Sequence, residues 1–417
     1  MTKRLSSVTS ALFVTTILGG LLATQSVHAQ SNAELQQRIQ KLENELQDLK
    51  QQVQENQKKE ATASPAAAAP ETLPDLTWHL GGYATADLTA SNSSSEHDTF
   101  VGGQFSPIFL VSYKDLLIAE SELEISTTSD GETDMQLEFG NLSLNVADWL
   151  TITAGKFLSP IGDFQQHLHP TWINKLPDRP AGFVEDGGDE HLSEVGVMAR
   201  GAVPVGSTVV DYAVFVGNGP RLAESLDEGV KLEGFSGDNN GNKAVGGRIG
   251  IRPLPYLSVG VSAMTASISG NEGIGGSVTS GNYHLEDVDF AFTRKNWDVR
   301  GEYIRSHLDS LLTAVDSTSA PAMIPASNWH NWYLQAAYRL AGVSDNKILS
   351  HVEPVIRYSQ LHISGFDLFR DGEEDRWTLG LDYWFSSSLV AKTAYENRNY
   401  LNEPNEDVFR MQLAFGF

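Results

Sequence analysis

The sequence predicts an all-β protein, a 16-stranded antiparallel transmembrane β-barrel preceded by a short periplasmic α-helical coiled coil. Three observations support this prediction: an alternating closing segment, a series of similar segments before it, and connections that alternate between short and long. Only helices and closed barrels satisfy their backbone hydrogen bonds in lipid. No stretch after the N-terminal leader reaches the roughly 18 consecutive apolar residues of a transmembrane helix, so strands are the expected way to cross.

The closing segment, residues 408–417, has the clearest alternation. A strand with one apolar face and one polar or small face suits a sheet between lipid and a wet interior. The apolar face carries Phe409, Met411, Leu413, Phe415 and Phe417, and the other face carries Arg410, Gln412, Ala414 and Gly416.

Similar segments of about ten residues recur from Trp78 onward, most clearly at 332–340 and 377–385. Tryptophan and tyrosine gather near their ends, as interfacial aromatic girdles require. We predict strands at 78–88, 101–113, 116–126, 133–146, 149–157, 192–203, 207–217, 243–252, 256–267, 282–293, 297–306, 329–340, 347–362, 375–385, 389–398 and 408–417.

Every second connection between these segments is short, and the others are long, acidic or glycine-rich. Outer-membrane barrels have short periplasmic turns and long outer loops, whereas a soluble β-sandwich has no reason to keep that alternation. With a periplasmic N-terminus and an even strand number, the chain also ends in the periplasm. The longest connection, about 158–191, is then the third outer loop. Its many apolar residues predict that it folds into the lumen.

The first 29 residues predict a secretory signal peptide. Lys3 and Arg4 precede an apolar run at 11–23, and Val27-His28-Ala29 offers small residues for cleavage. The run is too short for a membrane-spanning helix, which disfavours the alternative of an anchor.

Residues 31–60 predict a coiled coil, followed by an alanine- and proline-rich linker at 61–77. Parallel pairing would place Arg38 opposite Glu43 and Glu45 opposite Lys50, opposite in sign both times. The residue types at the seam lean towards a dimer, and a solitary amphipathic helix is the alternative. The oligomerisation seam is Leu35, Ile39, Leu42, Leu46, Leu49 and Val53.

Composition limits the partners. The formal net charge is −24 and there is no cysteine. The charge argues against nucleic acid, and the lack of cysteine excludes disulfides and thiolate metal sites. We expect no cofactor.

One segment resembles a known family. Gly155, Lys156, Phe157, Pro160 and Gly162 match the strand-to-loop segment of the phosphate-selective porin O and P family, with Ile161 where an aromatic is usual. Gly81-Gly82-Tyr83 and the closing Phe417 are similar to that family as well. The resemblance implies a trimeric outer-membrane porin of a Gram-negative bacterium, with a constriction made by the third loop. Phosphate selectivity is not implied, because the inward positions lack the many lysines of those porins.

The expected inward face carries acids on one side and arginines on the other. Such an arrangement would create a transverse field that discriminates among ions and polar solutes. The alternative is that the arginines neutralise nearby acids such as Asp298, Glu302, Glu353 and Asp382. The pore-lining candidates are Glu120, Glu122, Glu124, Glu138, Arg300, Arg339, Arg357, Arg376, Arg398 and Arg410, with Arg200, Arg248 and Arg252 in the middle of the barrel.

Metal sites are weakly indicated. Asp163, His167, His169 and His191 share the third outer loop without a ligand-type spacing. Residues 237–242 lack the carboxylates of a calcium loop and are interpreted as a solvated turn.

The expected function is an outer-membrane channel, passive or mildly charge-selective, for small polar or ionic solutes, in contact with outer-membrane lipid and lipopolysaccharide. A barrel enzyme is disfavoured, because neither a Gly-x-Ser-x-Gly nor a His-Glu-x-x-His motif is present. The alternative is a structural protein whose coiled coil ties the barrel to the cell wall or to a periplasmic partner.

Overall fold

The structure is a computed structural model that describes residue 47 and residues 75–93, 98–128, 131–183 and 192–417. The chain divides into residues 1–72 and 73–417. The predicted signal peptide, the heptad seam and most of the linker lie outside the described residues.

Sixteen antiparallel strands form a closed barrel, which confirms the predicted fold class. The first strand pairs with both the second and the last, so the sheet has no edge. The strands are β1 Leu76–Ser91, β2 Gln104–Tyr113, β3 Leu117–Thr127, β4 Thr133–Ala147, β5 Leu150–Leu158, β6 Ser193–Val205, β7 Thr208–Gly217, β8 Ala244–Leu254, β9 Leu257–Ser269, β10 Ser280–Arg294, β11 Trp297–Leu308, β12 Ser327–Tyr338, β13 Val352–Ser364, β14 Glu374–Trp384, β15 Leu389–Tyr400 and β16 Glu406–Gly416.

Short and long connections alternate, so the barrel has a short-turn end and a long-loop end. One connection at the short-turn end is longer than expected. The strand predicted from residue 347 begins at Val352, because Leu340–Gly342 and Leu349–His351 form 3₁₀ turns before it. At the long-loop end, the segment predicted as 101–113 is broken at residues 102–103. A separate short strand, Thr99–Val101, pairs with β1 before the break.

The closing strand shows the expected two faces. Phe409, Met411, Leu413 and Phe415 are each more than two-fifths exposed on the outside of the barrel, whereas Ala414 is buried. The last residue helps to close the barrel. The backbone N–H of Phe417 donates to the carbonyl of Gly82 at 2.9 Å, and the N–H of Gly82 returns a bond at 3.0 Å.

The long-loop half of the lumen is filled by apolar side chains. Inward residues of β5 to β13 pack with residues from the long loops, including the short hairpins Arg221–Leu222/Val230–Lys231 and Leu311–Thr313/Ala322–Ile324. The 3₁₀ turns Leu226–Glu228 and Asp367–Gly372 belong to the same loops. We call this group the apolar cluster; it includes Phe157, Ile161, Phe164, Phe183, Met198, Phe215, Tyr283, Leu285, Ile304, Trp329, Tyr333, Leu361 and Phe369.

The described helices are all short, and none is long and apolar enough to cross a membrane. The α-helix of the third long loop spans only Phe164–His167.

Candidate functional site

The third long loop, described over 159–183, lies inside the barrel. Its first part is held by acceptors on β9 and β11. The N–H of Gly162 donates to Ser262 Oγ at 3.2 Å, and the N–H groups of Asp163 and Phe164 donate to Glu302 Oε2 at 3.1 and 2.9 Å. Gly162 has φ +75°, and a Cβ there would collide with the Glu302 carboxylate. A glycine is therefore needed for this close approach.

The last part of the loop is held through Asp178. Its Oδ2 contacts Arg376 at 2.5 Å, Arg398 at 3.0 Å and Arg410 at 3.9 Å. Arg357 donates to the backbone carbonyl of Asp178 at 3.0 Å. Burial opposes ionisation of this carboxyl, but the four positive charges outweigh it, so the pKa of Asp178 lies far below its usual range. Four of the predicted arginines thus meet at one residue of the loop, three at its carboxylate and Arg357 at its backbone carbonyl.

Two lysines hold the middle of the loop. Lys392 of β15 donates to the carbonyl of Asn174 at 2.6 Å and to that of Thr171. Lys175 extends from the loop to Glu353 of β13 at 3.0 Å. Lys392 and Glu353 are almost completely buried. Because water does not screen these contacts, their electrostatic attraction is stronger than that of a surface pair.

Two apolar side chains complete this attachment. Leu176 packs with Ala337, Val355 and Ala394, and Trp172 packs with Trp384, Val390 and Ala414. We call the inward surface that binds the loop the anchoring wall; it comprises Ser262, Glu302, Glu353, Arg357, Arg376, Lys392 and Arg398.

The opposite surface is the acidic wall, which comprises Asp87 of β1 and Glu120, Glu122 and Glu124 of β3. The loop reaches it at His169, whose Nε2 lies 3.4 Å from Glu122 Oε2. The hydroxyl of Tyr83 donates to the other oxygen of Glu122 at 2.6 Å. Beside this contact lies a cavity of about 230 Å³, the acidic-wall cavity, lined among others by Asp87, Glu124, Thr171, Pro177, Arg410 and Gln412.

The remaining predicted arginines also contact carboxylates. Arg300 lies 2.8 Å from Asp298 and 3.2 Å from Asp163, and Arg339 lies 3.2 Å from Glu353. Further pairs are Arg376–Glu374 at 2.5 Å, Arg398–Glu396 at 2.5 Å and Arg410–Glu396 at 3.1 Å. The arginines are therefore interleaved with acids from their own and neighbouring strands. Their effect on selectivity remains a prediction.

Glu138 lies where the pairing of β3 with β4 changes register. Glu122 pairs with Phe139 and Leu123 with Leu137, which leaves Glu138 as the extra residue of a bulge. A bulge interrupts the period-two alternation. Met135 and Leu137 face outward on one side of it, and Phe139 is buried on the other.

Arg200, Arg248 and Arg252 line a second cavity of about 360 Å³, together with His167 and Asp211. Met198 and Phe215 are the inward residues next to this cavity towards the long-loop end, and both belong to the apolar cluster. The apolar cluster therefore borders this cavity on the side of the long loops.

His167 and Asp163 form a contact within the loop, with Nδ1 to Oδ1 at 2.8 Å. This hydrogen bond raises the pKa of His167 despite partial burial. Burial of Asp163 is outweighed by His167, Arg300 and Arg248, so its pKa is lowered. His191 lies outside the described residues, within which no cluster of three metal-ligating side chains is found.

The turn at 237–242 is closed by the Asp238 side chain. Asp238 Oδ1 accepts the N–H groups of Asn240 at 2.9 Å and Gly241 at 2.8 Å, and the carboxylate contacts Lys243. The hydrogen bond from Lys243 is the main reason why the pKa of Asp238 falls to about 2.

The C-terminal part of the chain, residues 264–417, matches the family model described as Phosphate-selective porin O and P. No curated protein matches the chain.

Among solved structures, the chain is similar to an anion-selective porin from Comamonas acidovorans (11% identity, TM-score 0.53, covering 82% of this chain and 100% of that one). It is also similar to the outer membrane channel DcaP of Acinetobacter baumannii (11% identity, TM-score 0.52, covering 84% of this chain and 100% of that one). A third similar structure is OmpT of Vibrio cholerae in a trimer form (13% identity, TM-score 0.51, covering 82% of this chain and 99% of that one). At these identities the likeness shows a shared porin-type fold.

Within this porin-type barrel, sequence reasoning missed Asp178, Lys175 and Lys392. Lys392 stands at an inward position of the predicted strand 389–398, so its alternation could have placed it in the lumen. Asp178 and Lys175 lie in a loop without periodicity, and nothing in the sequence pairs them with distant strands.

Proposed function

We propose that this protein is a channel in the outer membrane of a Gram-negative bacterium, through which small polar solutes diffuse down their gradients. The observation that carries the proposal is a closed barrel with an apolar outer face and a charged lumen, in which one long loop is bound to the wall beside an aqueous cavity. The family match over residues 264–417 and the porin-type structures support it. Transport of this kind needs neither a cofactor nor a catalytic site.

The arrangement favours a narrow passage. A sixteen-stranded barrel would otherwise enclose a wide aqueous channel. Here residues 159–183 and the apolar cluster occupy much of the lumen, so solutes pass beside the loop. The short-turn end would face the periplasm and the long loops the outside, where lipopolysaccharide surrounds them.

Planar-bilayer recording of the purified full chain tests the proposal. We expect discrete conductance steps that vanish when the protein is heat-denatured before addition. Liposome swelling with small neutral sugars checks that uncharged polar solutes also pass. A correctly folded barrel that gives no steps and no swelling would refute the channel.

The assembly is proposed to be a homotrimer, held in part by the heptad seam from Leu35 to Val53. Parallel pairing of that seam requires rotational symmetry, and a trimer form is known for the similar OmpT. Light scattering in detergent should give three copies for the full chain. A monomer would contradict the proposal, and deletion of 31–74 should weaken the trimer if the seam contributes. The same deletion tests the alternative that the coiled coil tethers the barrel. In that case the deletion should impair envelope integrity and leave the conductance unchanged.

A further inference from the structure

Given the proposed channel function, the charges along the open route determine which ions the channel favours. The lumen has two sides that differ in what fills them. Along β5 to β13 the apolar cluster occupies the long-loop half. The acidic-wall cavity lies instead against β1, β3 and β16. The route left for hydrated ions therefore runs between the loop and the acidic wall.

Two arginines of the anchoring wall, Arg376 and Arg398, contribute little net positive charge to that route. Arg376 and Arg398 share the Asp178 carboxylate and each has a second carboxylate partner, Glu374 or Glu396. Their side chains are only 6% and 13% exposed. A buried charge that contacts an opposite charge at such distances is largely cancelled at longer range.

Arg410 does line the acidic-wall cavity, but it is paired as well. Its Nε lies 3.1 Å from Glu396 Oε1, and its Nη1 donates to Thr89 Oγ1 at 3.1 Å. Glu396, which is fully buried, also pairs with Arg398. Arg376, Arg398 and Arg410 together therefore face Asp178, Glu374 and Glu396, three charges of each sign, and this group presents little net charge to the cavity.

Two acids of the acidic wall, Asp87 and Glu122, accept hydrogen bonds from neutral donors. Asp87 accepts from the Thr85 hydroxyl at 2.7 Å and from Gln412 Nε2 at 2.7 Å. Glu122 accepts from the Tyr83 hydroxyl at 2.6 Å. Neutral donors fix a carboxylate in place without cancelling its charge. Glu124 lines the same cavity, and Glu120 continues the row towards the short-turn end.

Gln412 provides separate evidence on the kind of ligand that the cavity can hold. The residue is 5% exposed and lines the cavity, and its Oε1 accepts no hydrogen bond from the described residues. Its Nε2 is already committed to Asp87. Thr171 Oγ1, on the loop side of the same cavity, is likewise unbonded. These are oxygen ligands, which suit a cation or its hydration water.

We propose that permeating ions pass along the acidic wall, and that Asp87 and Glu124 make the channel favour small cations, inorganic or ammonium-bearing, over anions. A carboxylate a few ångströms from the path shifts the ratio of cation to anion occupancy by about threefold in 0.1 M salt. The effect weakens as ionic strength rises.

The test is the reversal potential of the full chain in a planar bilayer between dilute and concentrated KCl. The expected sign is that of potassium preference. Asp87→Asn and Glu124→Gln should each lower the permeability ratio of potassium to chloride by about threefold, and the double variant by more. Conductance steps in each variant show that it has inserted.

Glu286→Gln is the matched control, because it removes one carboxylate from an exposed position on the outer face of β10. Its permeability ratio should equal that of the unaltered protein. A chloride-preferring channel, or variants at Asp87 and Glu124 that leave the ratio unchanged, would overturn the inference while leaving the channel intact. Absence of any conductance would refute the channel itself and the inference with it.

Discussion

The anchoring wall and the acidic wall face each other across the same loop, yet they engage it differently. The anchoring wall binds residues 159–183 with backbone hydrogen bonds, ion pairs and two apolar contacts, from Glu302 to Lys392. The acidic wall meets the loop at the 3.4 Å contact between His169 and Glu122, beside a cavity. One wall is built for attachment and the other borders the space that remains.

This difference shows that a charged residue in the lumen cannot be assigned a role from its strand position alone. Arg376 and Glu124 both point inward from alternating strands. Arg376 is covered by a carboxylate from the loop, whereas Glu124 lines a cavity. The position of the loop therefore determines which charged side chains a solute can contact. Three substitutions and a change of pH test this contrast.

Replacing Arg376 should break the anchoring wall most severely. Arg376→Met removes one arginine from the Asp178 carboxylate. It also removes the 2.5 Å ion pair of the buried Glu374, whose contact with Arg398 is longer, at 4.0 Å. Loss of one member of a buried pair destabilises by about 3–5 kcal/mol. We expect lower stability in urea unfolding, and larger and noisier single-channel currents as the loop detaches.

Arg305→Met is the control for this variant, because Arg305 is exposed on the outer face of β11. It should leave the currents unchanged. Unaltered conductance in Arg376→Met would show that the loop does not depend on this arginine.

Truncating Leu176 tests the apolar contacts that attach the loop to the barrel. Its side chain is 1% exposed among Ala337, Val355 and Ala394. Leu176→Ala should destabilise by about 2–5 kcal/mol, nearer the lower limit if the loop relaxes into the void. Urea unfolding in lipid vesicles measures it. Leu379→Ala, at a 53% exposed position on the outside, should have a smaller effect, and equal losses would contradict the assigned packing.

The contrast between the walls also marks what could be predicted from the sequence. The strands follow from period-two alternation, since the bilayer demands an apolar outer face. The bulge at Glu138 was not predictable, because the apolar and polar residues of this strand alternate too irregularly for one extra residue to be recognised. The four-arginine contact with Asp178 was not predictable either. It depends on how residues 159–183 pack inside the barrel, which no local periodicity encodes.

Adding a methyl group at Gly416 should disturb the attachment of the loop more mildly, through Trp172. A Cβ there would lie 2.6 Å from Trp172 Cε2, so the indole must move away from β16. Overpacking of this kind costs about 1–3 kcal/mol. Thermal unfolding of Gly416→Ala should show the loss. Gly372→Ala, whose new Cβ would meet Leu361 at an ordinary 3.9 Å, should not, and equal behaviour would mean that Trp172 is not held against Gly416.

The smallest expected effect is a pH dependence at the start of the loop. The raised pKa of His167 means that its contact with Asp163 stabilises the fold at acidic pH and that this contribution is lost as pH rises through the folded-state pKa. The lowered pKa of Asp163 means that its share is present at higher pH and lost as pH falls through that lower value. The contact is therefore strongest at mildly acidic pH.

Nuclear magnetic resonance titration of His167 should give a midpoint above about 6.5, and Asp163→Asn should lower it. A midpoint that does not move in that variant would contradict the pairing. Because His167 is 61% exposed, solvent screens the contact. Raising the pH should therefore loosen only the segment around the short helix, and Asp178 should keep the rest of the loop on the anchoring wall.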